Sequence, residues 1–478
     1  MQKRFSRTLF GVAILLLPLA AHAACHVVTP SGSGAQTGAD WNNALAGLPA
    51  NLISGDTYYL ADGKYLPYAN TTANTTIKKA IASDNCTATG WNTGTMGSAQ
   101  AVFQPTASSN FGRALKLEAN NQTVDGNSAA NWHAGTTAAA AYGIKLDGST
   151  CDSASWYCWN LIVGDSGSVS GIVVKYVEVA GSGATDAANL AHEDENVTLR
   201  ATTGFTFSYG YIHDSSGDPV EMVGVSSNIQ VDHSYIWKND STPTYHGECM
   251  ASNGSVSNIF IFDNILQDCE GTAFIDSLNS GNSVTDDNWQ IYNNVGLYSP
   301  NNSTGRTGCG DGFVCCCGNG VSQACTNWKI VNNTVLNYGG GGAAGNGGVI
   351  WQGGATTTGT PIIQNNLFWN NPLGEVFNVP AGSTVDHNSC IGPNDNGACT
   401  GTGAVNTTST TPIPFVNWTV LNFNLASDNA EWNNRISLGA PFDTDAGGNP
   451  FTTDRGAYQY GSATASSSAP SGLTATVQ

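Results

Sequence analysis

Charge is scarce in this chain of 478 residues. Only 11% of its positions are Asp, Glu, Lys or Arg, and the 35 acids outnumber the 16 bases for a net charge of −19. A surface so poor in Lys and Arg cannot neutralise successive phosphates or dock on anionic lipid, which excludes nucleic acid and membrane surfaces as partners. Helical periodicity is missing beyond the first two dozen residues, so a bundle is excluded as well. After the N-terminus no run approaches the roughly 20 apolar residues of a membrane span.

What is present begins with a leader. Lys3, Arg4 and Arg7 precede an apolar run from Leu9 to Ala20 and the small-residue site Ala21-His22-Ala23, the pattern of a secretory signal peptide over residues 1–23. The protein is therefore expected outside the cytoplasm, secreted or periplasmic. Cys25 would allow a lipoprotein, but Ala21 to Ala24 fit a lipid-attachment pattern poorly. Thirteen cysteines in an exported chain imply disulfides. Cys151 with Cys158, Cys390 with Cys399, and Cys25 with Cys86 are the expected pairs. Cys309, Cys315, Cys316, Cys317 and Cys325 crowd one insertion, and the odd total leaves one thiol over. Three adjacent cysteines do not match the paired Cys-x2-Cys units of zinc sites.

Glycine numbers 57, and a single phrase recurs: apolar, any, apolar, any, polar, Asn, apolar. It runs Ile259-Phe260-Ile261-Phe262-Asp263-Asn264-Ile265, and returns at Trp289 to Val295, Trp328 to Thr334 and Pro361 to Leu367. Looser copies start at Ile172, Phe205 and Ile229. A nearly fixed strand phrase with variable filler is what a coil of stacked parallel strands requires, because loops can grow outward while each turn must sit on the last. Ile259, Ile261 and Ile265 should then lie over Trp289, Ile291 and Val295 inside the coil. Asn264, Asn294, Asn333 and Asn366 should form one column bonded up and down the stack.

This phrase resembles the repeat of the pectin-lyase-like superfamily, over roughly Gly171 to Cys390. Val28 to Gly34, Asp40 to Ala44 and Gly55 to Tyr65 look like the N-terminal cap and first coil of its secreted members, and Asp454 to Gly461 like their closing strand. The resemblance implies a right-handed parallel β-helix over residues 24–461, followed by a Ser/Thr/Ala-rich tail at 462–478. Asn228-Ile229-Gln230-Val231-Asp232-His233-Ser234 is similar to a Trp-Ile-Asp-His strand of pectate lyases. Gln230 and Val231 depart from it, however, and no Arg-Pro-x-x-Arg follows. Asp232 and His233 are therefore read as a structural hydrogen-bonded pair.

Chemistry is expected on a second strand in each turn. Read in order, these strands place Lys145, Arg200, Glu221, Glu248 and Asp276 on one exposed stripe. The groups His192 to Glu195, His213 to Asp218 and Lys238 to Glu248 lie in nearby loops. Carboxylates with carbonyl-rich loops are hard-oxygen ligands, which suits Ca²⁺ held by Glu221, Glu248 and Asp276. A cation also lets so acidic a protein take an acidic substrate. The expected activity is cation-assisted β-elimination on a uronate-containing polysaccharide by a monomeric lyase. Lys145 or Lys238 is the candidate base and Arg200 the partner of the substrate carboxylate. The alternatives are a hydrolase of the polygalacturonase type, for which Asp286-Asp287 is an echo of the paired aspartates, or a glycan-binding adhesin using Trp132, Trp156, Trp237 or Trp369 as sugar platforms.

Overall fold

The recurring phrase folds as the sequence pattern requires. In a computed structural model the chain winds into a parallel β-helix, and the residues described are 23–105, 111–150, 157–182, 194–237, 247–269, 273–280, 284–298, 312–319, 323–336, 347–353, 357–371, 376–392, 399–408 and 414–461. Three sheets of 15, 12 and 11 strands, here A, B and C, run the length of the coil, and every pairing in them is parallel. A turn passes through one strand of each. Thr202–Ser208 lies in A, Tyr211–His213 in B and Val220–Val223 in C, after which Ser226–Asp232 returns to A one rung on. Phe415–Asn417 and Asn422–Leu425 pair antiparallel, outside the coil.

Ile259 pairs with Trp289 and Ile261 with Ile291, as expected, and all four are buried in the continuous interior cluster. Trp289 and Trp328 stack with their rings 4.6 Å apart. Ile265 and Val295 are also in register, but they point out of the coil into a second cluster, while Leu266 fills the interior. The reason lies at the bend. Asp263, Asn293, Asn332 and Asn365 take left-handed conformations with φ of 55 to 58°, and this resets the in-out alternation between A and B.

The next residue at each bend forms the expected asparagine column. Asn294 Nδ2 donates to Asn333 Oδ1 (3.1 Å), and Asn333 Nδ2 donates to Asn366 Oδ1 (3.1 Å). Asn388 extends the ladder by accepting from Asn366 Nδ2 at 3.0 Å. A second, shorter ladder joins Asn160 to Asn196 at 2.8 Å.

Where A follows C, the lumen is polar for one rung. Asp286 is fully buried there and accepts from Ser277 Oγ, Gln323 Nε2 and the Val256 amide. On the next rung the register partners of Ser277 and Asp286 are Cys316 and Cys325, which are joined by a disulfide. Burial pushes the Asp286 carboxyl up to about 6, against the lowering effect of its hydrogen bonds. Between about pH 4 and 6 the folded state therefore keeps a proton that the unfolded state has released, and stability falls as pH rises through that window. Asp286→Asn is expected to remove this loss. The difference in melting temperature between variant and wild type should move in the variant's favour from pH 4 to 7, and a flat difference would show that the lumenal carboxyl is already charged.

Disulfides join Cys25 to Cys86 and Cys390 to Cys399 as expected, and also Cys249 to Cys269, which fastens the end of the B strand Ile265–Gln267 to the start of the C strand of the preceding turn, Met250–Asn253. Of the pair Cys151 and Cys158, Cys151 lies outside the described residues, as do residues 1–22 of the leader and the tail. The four bridges among the described residues fit an oxidising compartment. No helix of the described residues is long and apolar enough to cross a membrane.

Asp454 to Gly461 is not a closing strand. It lies along the outside of the last turns, where the buried Arg455 guanidinium donates to Asn388 O (2.9 Å), Ser389 Oγ (2.8 Å) and Gly403 O (2.5 Å). The φ of +90° at Gly456 and the nearness of Thr334 Oγ1 to where a Cβ would be explain the glycine that follows.

Candidate active site on sheet C

Sheet C gathers the ionised groups that are scarce elsewhere, in two outward columns. Lys116, Ile162, Thr198, Glu221, Ala251 and Asp276 are paired rung to rung in the first. Trp159 pairs with Glu195 in the second. Counting back from the pairs Val197 to Val220 and Val220 to Met250 puts Asp218 and then Glu248 next in that column. Successive members stand about 4.8 Å apart, so Glu195, Asp218 and Glu248 form a run of three carboxylates on three rungs. Glu221 stands beside Asp218, and Asp276 lies one rung beyond Glu248.

Direct contacts hold this run. Thr198 Oγ1 donates to Glu195 Oε2 at 2.7 Å, and the Glu248 amide donates to Asp218 Oδ1 at 3.0 Å. Glu248 and Asp276 are 0% exposed, so the expectation of an exposed stripe is corrected. Among the described residues the buried oxygens of Asp276 have no hydrogen-bond donor but the neighbouring Ser277 amide. Burial, then the charge of Glu248, pushes the carboxyls of both Asp218 and Asp276 well above the usual range. Like charges this close and this buried require protons or a bound cation. Among the described residues no three such groups converge on a single point as a ready-made metal centre.

Arg200 ends the strand Asp194–Arg200 and faces the same way, diagonal to Glu221 at about 8 Å between Cα atoms from strand spacing and rise. Its guanidinium lies 4.8 Å from the ring centre of Trp159. Lys116 and Arg113 sit alongside, with Lys116 Nζ 2.8 Å and Arg113 Nη2 3.3 Å from Asp165. Burial would raise the Asp165 carboxyl, but the Lys116 hydrogen bond and the charges of Arg113, Lys116 and Arg200 hold it below the ordinary range.

Lys145 is not part of this group. It lies on sheet B, where Lys145 Nζ is 2.9 Å from Glu178 and the column continues to Tyr211 and Tyr235. The misplacement has a physical cause. Each turn carries three strands, and residues 126–143 intervene between A and B here, so that Ile144–Asp147 reads like a C strand. Glu178 also meets His213 (3.3 Å) and Gln100 (2.7 Å). These hydrogen bonds outweigh its burial and hold its carboxyl down at about 2. Lys238, His192 and His246 lie outside the described residues.

The remaining candidates resolve into structure. His233 Nδ1 is 2.7 Å from Asp232, and its other nitrogen is 3.5 Å from Asp263, so the expected structural pair is part of a trio at the A to B bend. Asp286 faces the lumen, and Asp287 accepts from Thr326 and Asn327, so these two are not an outward acid pair. Trp132 and Trp369 are buried in the outer cluster under the C-terminal segment, which removes them as sugar platforms. Trp237 is half-buried and stacked on Tyr235, and Trp156 lies outside the described residues. Lys116, Arg113, Trp159 and Asp165 were not singled out from the sequence. Aligning the C strands on Leu115, Leu161 and Val197 would have brought Lys116 and Trp159 into line with the acids.

No family model matches the sequence, and no curated protein matches it. Among solved structures the chain is similar to pectate lyase Pel9A, with a TM-score of 0.45 and 15% identity over 92% of this chain and 97% of that one. It is also similar to the Dettilon tailspike protein, with a TM-score of 0.36 and 13% identity over 80% of this chain and 69% of that one.

Proposed function

We propose that this chain is a polysaccharide lyase that cleaves a uronate-containing chain by cation-assisted β-elimination on the outer face of sheet C. The observation that supports it is the run Glu195, Asp218, Glu248 with Glu221 and the buried Asp276, an excess of negative charge that a divalent cation would relieve. Carboxylate oxygens are the donors calcium takes, and the two Asp276 oxygens have little else to bind, so the residues fit the ion. Glu221, Glu248 and Asp276 would hold it, and a bound calcium ion would neutralise a substrate carboxylate and acidify the neighbouring ring proton. Arg200 pairs with and orients the carboxylate. Lys238, close before Glu248 in sequence, removes the proton, since a lysine reaches the unprotonated state far more readily than an arginine. Lys145 has no part in the reaction.

Assay of the purified protein on polygalacturonate, alginate and glycosaminoglycans, with calcium and with chelator, tests this directly. Ultraviolet-absorbing unsaturated products that stop with chelator are the expected result. Reducing ends without that absorbance would instead mark a hydrolase, a reading favoured by one observation: burial and the charge of Glu248 push the Asp218 carboxyl up, which puts an acid beside a carboxylate on one face.

A further inference from the structure

The polar rung of the lumen brings together three side chains of matched chemistry. Ser277 on the C strand Ala273–Ser280, Asp286 on the A strand Val284–Tyr292, and Gln323 on the A strand Gln323–Thr326 one rung on meet inside the coil. None is more than 1% exposed. Ser277 Oγ donates to Asp286 Oδ2 and is itself met by Gln323 Nε2. That nitrogen lies 3.0 Å from the same Asp286 Oδ2 and 3.1 Å from Ser277 O, two acceptors that fix which way the amide faces. The Val256 amide holds the other carboxylate oxygen at 3.0 Å. Gln323 Oε1 is buried and, among the described residues, has no donor. A network from which water is excluded is costly when one of its polar atoms is left over.

The arrangement is that of a nucleophile, its base and an acyl group. Asp286 Oδ2 touches both the hydroxyl of Ser277 and the nitrogen of Gln323, and its carboxyl, at about 6, is ionised at neutral pH. We propose that Ser277 and Gln323 join as an ester inside the coil, a covalent cross-link between two successive rungs. Ser277 Oγ attacks Gln323 Cδ, one bond beyond the nitrogen it touches, as Asp286 takes the hydroxyl proton. The Cδ–Nε2 bond then breaks, Asp286 returns the proton to that nitrogen, and ammonia leaves. Nothing is oxidised and no co-reactant is needed. Loss of ammonia draws the step forward, and burial shields the ester from water. The product replaces a buried amide with a less polar group. The C strand that carries Asp276 is thereby tied to the next turn across a sequence separation of 46 residues. The tie stands one rung before the Cys316 to Cys325 disulfide and, unlike it, is indifferent to reduction.

Trypsin cuts after Lys238, Arg306 and Lys329, so Ser277 and Gln323 fall on separate peptides, 239–306 and 307–329. Mass spectrometry of the wild-type protein, digested after full reduction and alkylation, therefore tests the cross-link. The two peptides are expected as one species, lighter than their sum by one ammonia. Hydroxylamine should split it and leave a hydroxamate on residue 323. Ser277→Ala should release the two peptides separately. Asp286→Asn keeps both partners and should slow their joining about a hundredfold at neutral pH, the contribution of a positioned general acid and base. Fragment ions of the wild-type species place the link at Ser277 and Gln323 even where a variant does not fold. Wild-type peptides that separate on reduction, a joined species that survives hydroxylamine, or one that persists in Ser277→Ala would each overturn the cross-link.

Discussion

Asn333→Leu is expected to destabilise the coil by about 4 kcal/mol, the sum of several buried polar groups left without partners in one network. Asn333 Nδ2 donates to Ile291 O (2.9 Å), Val331 O (3.1 Å) and Asn366 Oδ1, while its own Oδ1 accepts the Asn294 amide (2.9 Å) and Asn294 Nδ2. Leucine of similar size fills the space and silences all of these contacts. The Asn294 amide and the Ile291 carbonyl stay buried, and that desolvation, more than the bonds themselves, carries the cost. Asn264 makes fewer such contacts, to Val231 O, Asn294 and the Ser234 amide, so Asn264→Leu should cost less. Urea denaturation reads both. Because rungs couple chiefly to their neighbours, a break at rung 333 should also lower the m-value as the two halves melt apart. A midpoint within the error of wild type would mean that the column is dispensable.

The same column shows why part of this fold was legible in the sequence and part was not. The A strands of the middle turns are long, as in Val256–Phe262 and Val284–Tyr292, and the bend after them carries Asn, as it does after the shorter Lys329–Val331 and Ile362–Gln364, so both their register and the ladder could be read from period and position. The B strands are three residues long in most turns, as in Tyr211–His213 and Tyr235–Trp237, too short to display any period. Reading two strands per turn instead of three sent Lys145 to the wrong sheet and Ile265 to the wrong side. Glu221, Asp276 and Arg200 lie on C strands and were brought together correctly, because those strands do alternate. Their burial was not legible, since it depends on the segments between B and C, which differ in length and composition from turn to turn. The Cys249 to Cys269 bridge was missed for the same reason: nothing local says that a B strand ends where a C strand begins.

Glu221→Ala and Glu248→Ala are each expected to lower kcat/KM by about a thousandfold in calcium, a loss of roughly 4 kcal/mol of transition-state stabilisation. Folding should survive, because both side chains sit on the outer face and neither fills the interior cluster. Asp276→Asn separates the two roles most sharply. Its carboxylate is fully buried and crowded by Glu248 and Asp286, so a neutral isostere relieves repulsion in the empty protein. In chelator the variant should melt higher than wild type. In calcium the order should reverse, since only the wild type gains RT ln(1 + [L]/Kd) from the ion, and turnover should be lost. A site that is destabilising when empty and stabilising when filled is the signature of charge assembled for a ligand, not for the fold. If Asp276→Asn instead melted lower than wild type in chelator and gained as much from calcium, the carboxylates would be part of the scaffold, and the chemistry of sheet C would have to be assigned to other groups.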